Sequence, residues 1–294
     1  VTMLNTFVKV NNQDFRLKSN IGSGGQGEIY SAVNKIENKT IVIKFVDFFQ
    51  PGKRIHFDIE RSNAAILKQR NLDYLCNIIE CSEYDGYGII AMDKYDCDLF
   101  NFALELNDGI PEDFCKDIFQ KICIGLQNMH SCGIAHLDIK PENIMYDIDT
   151  RTPYIGDFDS SFNFMGSNKI NVTRGTRTYS PPEYCIQQAF DPIKSDIYSL
   201  GVTLHVLLTG HYPYDIEEDP DKRILLCHDK ISPECKNLIQ KMLNNNPKKR
   251  ISLKDVMKHP WLKNTRQDSK LKKLSRTLSK TTNGLMSNLS RCPR

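Results

Sequence analysis

Residues 21 to 30 read Ile21-Gly22-Ser23-Gly24-Gly25-Gln26-Gly27-Glu28-Ile29-Tyr30, with glycines in G-x-G-x-x-G spacing. Glycine lets the backbone approach phosphate oxygens closely and offers amide donors with no Cβ in the way, so the run suits phosphate binding. A dinucleotide fold needs a helix directly after the last glycine, whereas Glu28-Ile29-Tyr30 reads as a strand. Lys44 follows Ile41-Val42-Ile43 at the end of an apolar stretch, where a point charge can reach a phosphate lying beneath the glycine run. Carboxylates, an amide and a second lysine come next in His136-Leu137-Asp138-Ile139-Lys140-Pro141-Glu142-Asn143, then in Gly156-Asp157-Phe158-Asp159, ahead of Gly175-Thr176-Arg177-Thr178-Tyr179-Ser180-Pro181-Pro182-Glu183. Taken singly these have plainer explanations: a flexible hairpin, a solvated edge lysine, a turn-capping carboxylate. Their ordered co-occurrence makes chance the poorer account.

In that order the motifs resemble the eukaryotic-type serine/threonine protein kinase family, over roughly residues 14 to 262. The resemblance implies an α+β, bilobal fold, with a small antiparallel β-rich N-lobe carrying one main helix and a larger, mainly α-helical C-lobe. It implies transfer of the ATP γ-phosphate to protein Ser/Thr hydroxyls, with ATP and Mg²⁺ as cofactors and Mn²⁺ as an alternative ion. Phosphoryl transfer needs positioning and charge neutralisation more than covalent chemistry. Carried over residue by residue, Asp138 orients the substrate hydroxyl and accepts its proton, and Lys140 and Lys44 face the phosphates. Thr176 supports the hydroxyl, and Asn143 and Asp157 offer hard oxygen ligands to the metal. The nucleotide site takes Ile21, Gly22, Ser23, Gly24, Gly25, Gln26, Gly27, Glu28 and Ile29 from the glycine run. Val42, Lys44, Glu60 and Met92 add to it, then the backbone from Asp93 to Tyr95 as the adenine-facing hinge, and Asp98 near the ribose. Asp196-Ile197-Tyr198-Ser199-Leu200-Gly201 is similar to the helix that anchors the catalytic loop, with Tyr198 in place of Trp, and Glu183 is expected to pair with Arg250.

Four positions depart from the pattern. Leu137 stands where many relatives have an Arg that clasps a phosphate on the activation segment; Leu cannot donate a hydrogen bond, so activity without activation-segment phosphorylation is expected. Asp159 replaces a Gly; a cap on the following turn is expected of it rather than a third metal ligand. Family spacing puts Asn63 at the acidic partner of Lys44, and Asn carries no charge; Glu60, about one turn earlier on a similar face, is the expected partner. Val42 replaces Ala and narrows the adenine pocket. The competing readings are a pseudokinase scaffold, motivated by Leu137, Asp159 and the uncertain acidic partner, and a small-molecule phosphotransferase with the same catalytic loop.

These groups need elements to hold them. Residues 14 to 48 alternate β-branched stretches with Gly and Asn, as antiparallel strands joined by turns do. Beyond about residue 113 the spacing turns helical, with Phe114, Ile118, Ile122 and Leu126 in steps of four and a second helix from Ser195 to about Thr209. The expected division is an N-terminal extension over 1–13, the N-lobe over 14–93, hinge and C-lobe over 94–262, and a basic tail over 263–294. The chain has 294 residues, 40% of them hydrophobic, which excludes a disordered chain. Its most apolar run, Leu200 to Leu208, is interrupted by Thr203 and His205 and is shorter than the roughly 18 to 20 residues of a membrane span.

Basic and acidic residues number 39 and 36, but residues 264–294 hold eight basic and one acidic, leaving 31 against 35 before them. The tail, with Leu271, Leu274 and Leu278 among lysines, suits an acidic membrane, nucleic acid or an acidic calmodulin-like protein, against the plainer alternative of a helix packed on the lower lobe. Ser279, three residues after Arg276, is a candidate autophosphorylation site. The acidic run Asp215, Glu217, Glu218, Asp219 and Asp221 suggests a basic protein substrate. Ten scattered cysteines without C-x-x-C spacing, and no secretory leader, suit reduced thiols in the cytoplasm. The compact form and the missing Arg are similar to kinases of large cytoplasmic DNA viruses, which implies the virion or host cytoplasm.

Overall fold

The structure is a computed structural model that describes residues 4–24, 27–34, 36–106, 109–165, 169–171, 174–186, 189–215 and 230–263. Six antiparallel strands form the first lobe: β1 (Phe7–Val10), β2 (Gln13–Gly24), β3 (Gly27–Asn34), β4 (Lys39–Asp47), β5 (Ile78–Tyr84) and β6 (Tyr87–Asp93), ordered β1-β2-β3-β4-β6-β5. Leu17, Ala32, Ile41 and Ile43 fill one face. The period-two pattern in β4 buries Ile41 and Ile43 on that face and leaves Val42 half-buried on the other, across from Met92 on β6. The extension expected over 1–13 carries β1, which pairs with β2 from Phe7↔Arg16 to Val10↔Gln13 and so joins the N-lobe sheet.

Helix α1 (Lys53–Lys68) buries Phe57, Glu60, Asn63, Ala64 and Leu67, a stripe at helical spacing. In the second lobe β7 (Cys97–Asp98) leads into α2 (Leu99–Glu105), which Asp98 caps by accepting from Asn101 N at 2.8 Å. The long α3 (Glu112–Ser131) buries the expected Phe114, Ile118, Ile122 and Leu126. Short strands β8 (Ile134–Ala135), β9 (Ile144–Asp147), β10 (Thr152–Ile155) and β11 (Phe162–Asn163) then form a three-stranded sheet, β10-β9-β7, and a two-stranded one, β11-β8.

Helix α4 (Pro192–Thr209) begins three residues before the expected Ser195. Asp191 accepts from Ile193 N and Lys194 N, and Pro192 supplies a pre-set φ where its missing N–H costs nothing. The helix is buried almost all round, which explains the apolar run at 200–208 as lobe interior. Helices α5 (Pro233–Met242), α6 (Leu253–Val256) and α7 (Pro260–Lys263) complete the lobe. Among the described residues no helix is long and apolar enough to cross a membrane. One apolar core runs from Val46, Phe57 and Leu67 of the first lobe through Leu126 and Leu204 to Trp261 of the second.

Candidate active site

The loop after β8 is held from below by α4. Asp196, fully buried, accepts from Leu137 N at 2.7 Å through Oδ1, and from His136 N at 2.9 Å and His130 Nε2 at 2.8 Å through Oδ2. Thr203, about two turns further along the same helix, donates to the Ile139 carbonyl at 3.2 Å. His136 donates from Nε2 to the Gly156 carbonyl at 2.9 Å and accepts the Asp138 N–H on Nδ1 at 3.2 Å, so one imidazole ties the loop to the residue before Asp157.

Asp138 thereby stands among donors. Its Oδ2 meets Lys140 Nζ at 2.9 Å and Asn143 Nδ2 at 2.9 Å, and its Oδ1 takes the Thr176 N–H at 2.8 Å. Lys140 Nζ also donates to Thr176 Oγ1 at 2.7 Å, so the four residues form one cluster. Gly175 makes this approach feasible: its φ is 88°, and a Cβ there would lie 2.2 Å from the Leu137 carbonyl oxygen. Burial opposes ionisation of Asp138, but Lys140 beside it and the bond from Thr176 hold its carboxyl below the usual carboxylate range. The result is an ionised acceptor fixed in position.

Across the cleft, β4 presents Lys44, whose Nζ lies 2.9 Å from Glu60 Oε2 on α1 and 3.0 Å from Asp157 Oδ1. Burial works against the Lys44 charge, but Asp157 and Glu60 raise its affinity for the proton further than burial lowers it. Glu60 is pushed up to about 7 by burial, with Lys44 pulling the other way. Glu60 therefore occupies the partner position, and Asn63 turns its amide to the Ser161 carbonyl at 3.4 Å. Asp157 adopts the left-handed region at φ 57°, which Asp tolerates better than most residues.

Gly22, Ser23 and Gly24 of β2 pair with Ile29, Glu28 and Gly27 of β3, which folds the glycine run into a hairpin; Gly25 and Gln26 lie outside the described residues. Gly27, at φ 146°, has no room for a Cβ, which would meet the Phe45 carbonyl oxygen at 2.0 Å. Ile21 is partly exposed at the lobe edge. At the hinge, Asp93 Oδ2 accepts from Asn77 Nδ2 at 2.8 Å, and the Tyr95 hydroxyl accepts from Asn77 N at 3.1 Å while its ring packs on Tyr154.

The departures have distinct outcomes. Leu137, at φ 63° and 2% exposed, packs in an apolar cluster with Ala135, Ile170 and Phe190. Asp159 does not cap a turn. It is buried, its Oδ1 accepts from Ser160 Oγ at 3.1 Å, and its Oδ2 has no hydrogen-bond partner among the described residues. The preference for a cap fails because the carboxylate points towards α1, where His56 Nδ1 lies 3.9 Å from Oδ2. Burial and the charge of Asp157 push the Asp159 carboxyl up to about 6. His130, His56 and Arg174, which donates to the Ser161 carbonyl at 3.1 Å, went unrecognised in the sequence. The spacing of four between His56 and Glu60 is the signal that marks a shared face.

The oxygens of Asp157 and Asn143 are hard ligands suited to Mg²⁺, and Asn143 spends its amide N–H groups on Asp138, leaving the amide oxygen for a cation. No group of three or more His, Cys, Asp or Glu able to hold a metal occurs among the described residues.

A family description, the protein kinase domain, matches residues 15–262. The chain is 30% identical over 270 residues to serine/threonine-protein kinase SAPK9 of Oryza sativa subsp. japonica, covering 84% of this chain and 71% of that protein. It is 28% identical over 264 residues to serine/threonine-protein kinase pim-2 of Danio rerio, covering 85% and 84%. Serine/threonine-protein kinase prk-2 of Caenorhabditis elegans is 28% identical over 273 residues, covering 85% of this chain and 58% of that protein; the chain thus spans little more than half of that relative's length.

Proposed function

Since the chain belongs to the protein kinase family, we propose that it transfers the γ-phosphate of ATP to serine or threonine hydroxyls of a protein. The observation that carries this reading is the ionised Asp138, fixed by Lys140, Asn143 and Thr176, with the Lys44–Asp157 contact opposite. In the reaction the hydroxyl oxygen forms a bond to the γ-phosphorus, the bond to ADP breaks, and Asp138 takes the hydroxyl proton. Asn143 and Asp157 would hold Mg²⁺, which would neutralise charge on the phosphoryl group that bound ATP would supply. Lys140, bonded to both Asp138 and Thr176, aligns acceptor and base. Lys44, fixed by Glu60, faces the nucleotide phosphates.

Independence from activation-segment phosphorylation belongs to the same reading, supported by the buried Leu137, which packs against Ile170 of that segment and offers no donor. A preference for basic protein segments rests on the acidic run from Asp215; Glu217, Glu218, Asp219 and Asp221 lie outside the described residues. Residues 264–294, with the candidate Ser279 and the proposed contact to an acidic membrane, nucleic acid or acidic protein, lie outside them too. A reducing cytoplasmic setting is supported by Cys76, Cys81, Cys97, Cys115, Cys123, Cys132 and Cys235, all free thiols. The test is transfer from radiolabelled ATP to a basic generic protein by wild type and Asp138→Asn. Transfer by the wild type that falls at least about a hundredfold in the variant is expected; no transfer by either would overturn the reading in favour of a scaffold.

A further inference from the structure

Charge is divided unevenly along the chain. Residues 1–229 hold 22 basic and 33 acidic residues, whereas residues 230–294 hold 17 basic and three acidic. About half of those 17 lie in the folded lobe: residues 230–263, which carry α5, α6 and α7, have nine basic residues against Glu234 and Asp255 alone. Arg250 is buried and spent on Glu183. Lys241, Lys248, Lys249, Lys254, Lys258 and Lys263 are exposed, and none of the six is ion-paired with a described residue. Local bonds gather them. Ile251 N donates to the Lys241 carbonyl at 3.2 Å, which brings the loop carrying Lys248 and Lys249 back to the end of α5. Within that loop Lys248 N donates to Asn246 Oδ1 at 3.0 Å, and Arg250 Nε donates to the Asn244 carbonyl at 3.0 Å. Beside Lys258, His259 Nε2 bonds Asn237 Oδ1 at 3.1 Å, and Asn237 stands one turn before Lys241 on α5. The His259 carbonyl accepts from Lys263 N at 3.3 Å.

Like charges gathered on one surface repel, and an extended anion lying across them removes that repulsion. Residues 264–294 cannot be that anion: with eight basic residues and one acidic they carry the same sign, so packing them on this face would add to the repulsion. An external anion neutralises both at once. Its chemistry follows from three features. Leu271, Leu274 and Leu278 stand at helical spacing among the tail lysines, the pattern of segments that put apolar side chains into the acyl boundary and lysines at the headgroups. The exposed cations of the lobe face are all lysines, with no exposed large apolar or aromatic side chain among the described residues there, so it has neither the arginine fork nor the stacking platform that suits nucleic acid. The acidic remainder of the chain is repelled by an anionic bilayer, which leaves only this end to face one. We infer that the base of the larger lobe and the tail together bind an anionic lipid bilayer, the lobe lysines lying against the headgroups and the tail leucines entering the acyl boundary. The inference rests on the reading of the tail as a contact for an acidic partner, and takes nothing from the phosphoryl-transfer reading.

The test is sedimentation of the full chain, without nucleotide, with vesicles of phosphatidylcholine alone or mixed equally with phosphatidylserine, at about 0.1 M salt, where charges still act over about 10 Å. Binding to the mixed vesicles and not to the neutral ones is expected. Combining Lys241→Gln, Lys248→Gln, Lys249→Gln and Lys258→Gln should weaken that binding at least about tenfold at an unchanged melting temperature, since each lysine near the surface contributes. Combining Leu271→Ser, Leu274→Ser and Leu278→Ser should weaken it about tenfold as well, through the lost apolar contact. The inference fails if the mixed vesicles are not bound, or if either variant binds them as the wild type does. It fails in favour of nucleic acid if duplex DNA or single-stranded RNA, at equal phosphate concentration, displaces the chain from the vesicles. Vesicle binding needs no phosphoryl transfer, so an inactive wild type that binds refutes the kinase reading alone; an active wild type that does not bind refutes the bilayer contact alone.

Discussion

Lys140 meets Asp138 Oδ2 at 2.9 Å and donates to the hydroxyl of Thr176 at 2.7 Å, so its removal loosens both. Lys140→Met is expected to lower kcat about a hundredfold with KM for ATP changed by less than about threefold, because the lost contacts act on the acceptor side. Steady-state kinetics with ATP and protein substrate varied separately check this. Glu60 gives a pH effect of defined sign. Its carboxyl binds a proton more tightly folded, at about 7, than at the ordinary 4.5 of the unfolded chain. The stability linked to that proton is complete below 4.5 and is lost as pH rises to about 7. Thermal melts without nucleotide should therefore show the wild type losing ground to Glu60→Gln across that window, and a constant difference above it. The ambiguity between Glu60 and Asn63 has a physical origin: both lie on the buried face of α1, and periodicity cannot say which side chain reaches Lys44. Lys44, Asp138, Asn143 and Asp157 stand out through the order of the motifs that hold them, which resembles the family's, whereas nothing in the sequence around Arg174 points to Ser161.

The catalytic loop and the activation segment meet through Leu137, held in the left-handed region with its side chain among Ala135, Ile170 and Phe190. Restoring the family residue by Leu137→Arg puts a guanidinium into that cluster. The change should destabilise the fold by about 3 kcal/mol or more, seen as a lower denaturation midpoint, because burial among these apolar side chains strips the charge of water. Phosphatase treatment of the wild type, by contrast, should leave kcat within about twofold, since Leu137 has no donor for a phosphate to lose. Elements differed in how far the sequence announced them. The four-residue steps of α3 are long enough to show a period, and the helix lies over them; β4 lies within the β-branched stretches expected to form strands. Strands β7, β8 and β11 span two residues each and can show none. The early start of α4 turns on one side chain, Asp191, whose capping bonds are local chemistry that hydrophobic spacing does not register.

The two lobes share an apolar core that passes from β4 and α1 into α3, α4 and α7, so closing the cleft and folding the larger lobe draw on contiguous packing. The lower half of that body is tied by a pair distant in sequence. Arg250 donates from Nη1 and Nη2 to Glu183 at 2.6 Å and 2.9 Å, and also bonds the Lys194 and Asn244 carbonyls, while its guanidinium lies 5.0 Å from the centre of the Tyr198 ring. Nothing local in the sequence joins positions 183 and 250; only resemblance to the family suggested the pair. Tyr198, in place of Trp, still offers the guanidinium an aromatic face. Removing Arg250 leaves the Glu183 carboxylate buried and unpaired and frees two carbonyls, the costliest way to break such a pair. Arg250→Ala should therefore lose about 3 to 5 kcal/mol, a drop in Tm on the order of 10 °C for a domain of this size. Glu183→Gln, which retains a hydrogen-bond acceptor for the guanidinium, should lose less than half of that. Because Asp138 is held by Lys140 and Thr176, and its loop by Asp196 through Leu137 N, rather than by this pair, the folded fraction of Arg250→Ala at low temperature should keep its kcat within about threefold. Calorimetry paired with an active-site titration at 10 to 15 °C below the variant's melting point, about the range in which folded molecules still dominate, separates the two effects. A fall in kcat as steep as the fall in stability would show that the pair acts on the catalytic loop itself.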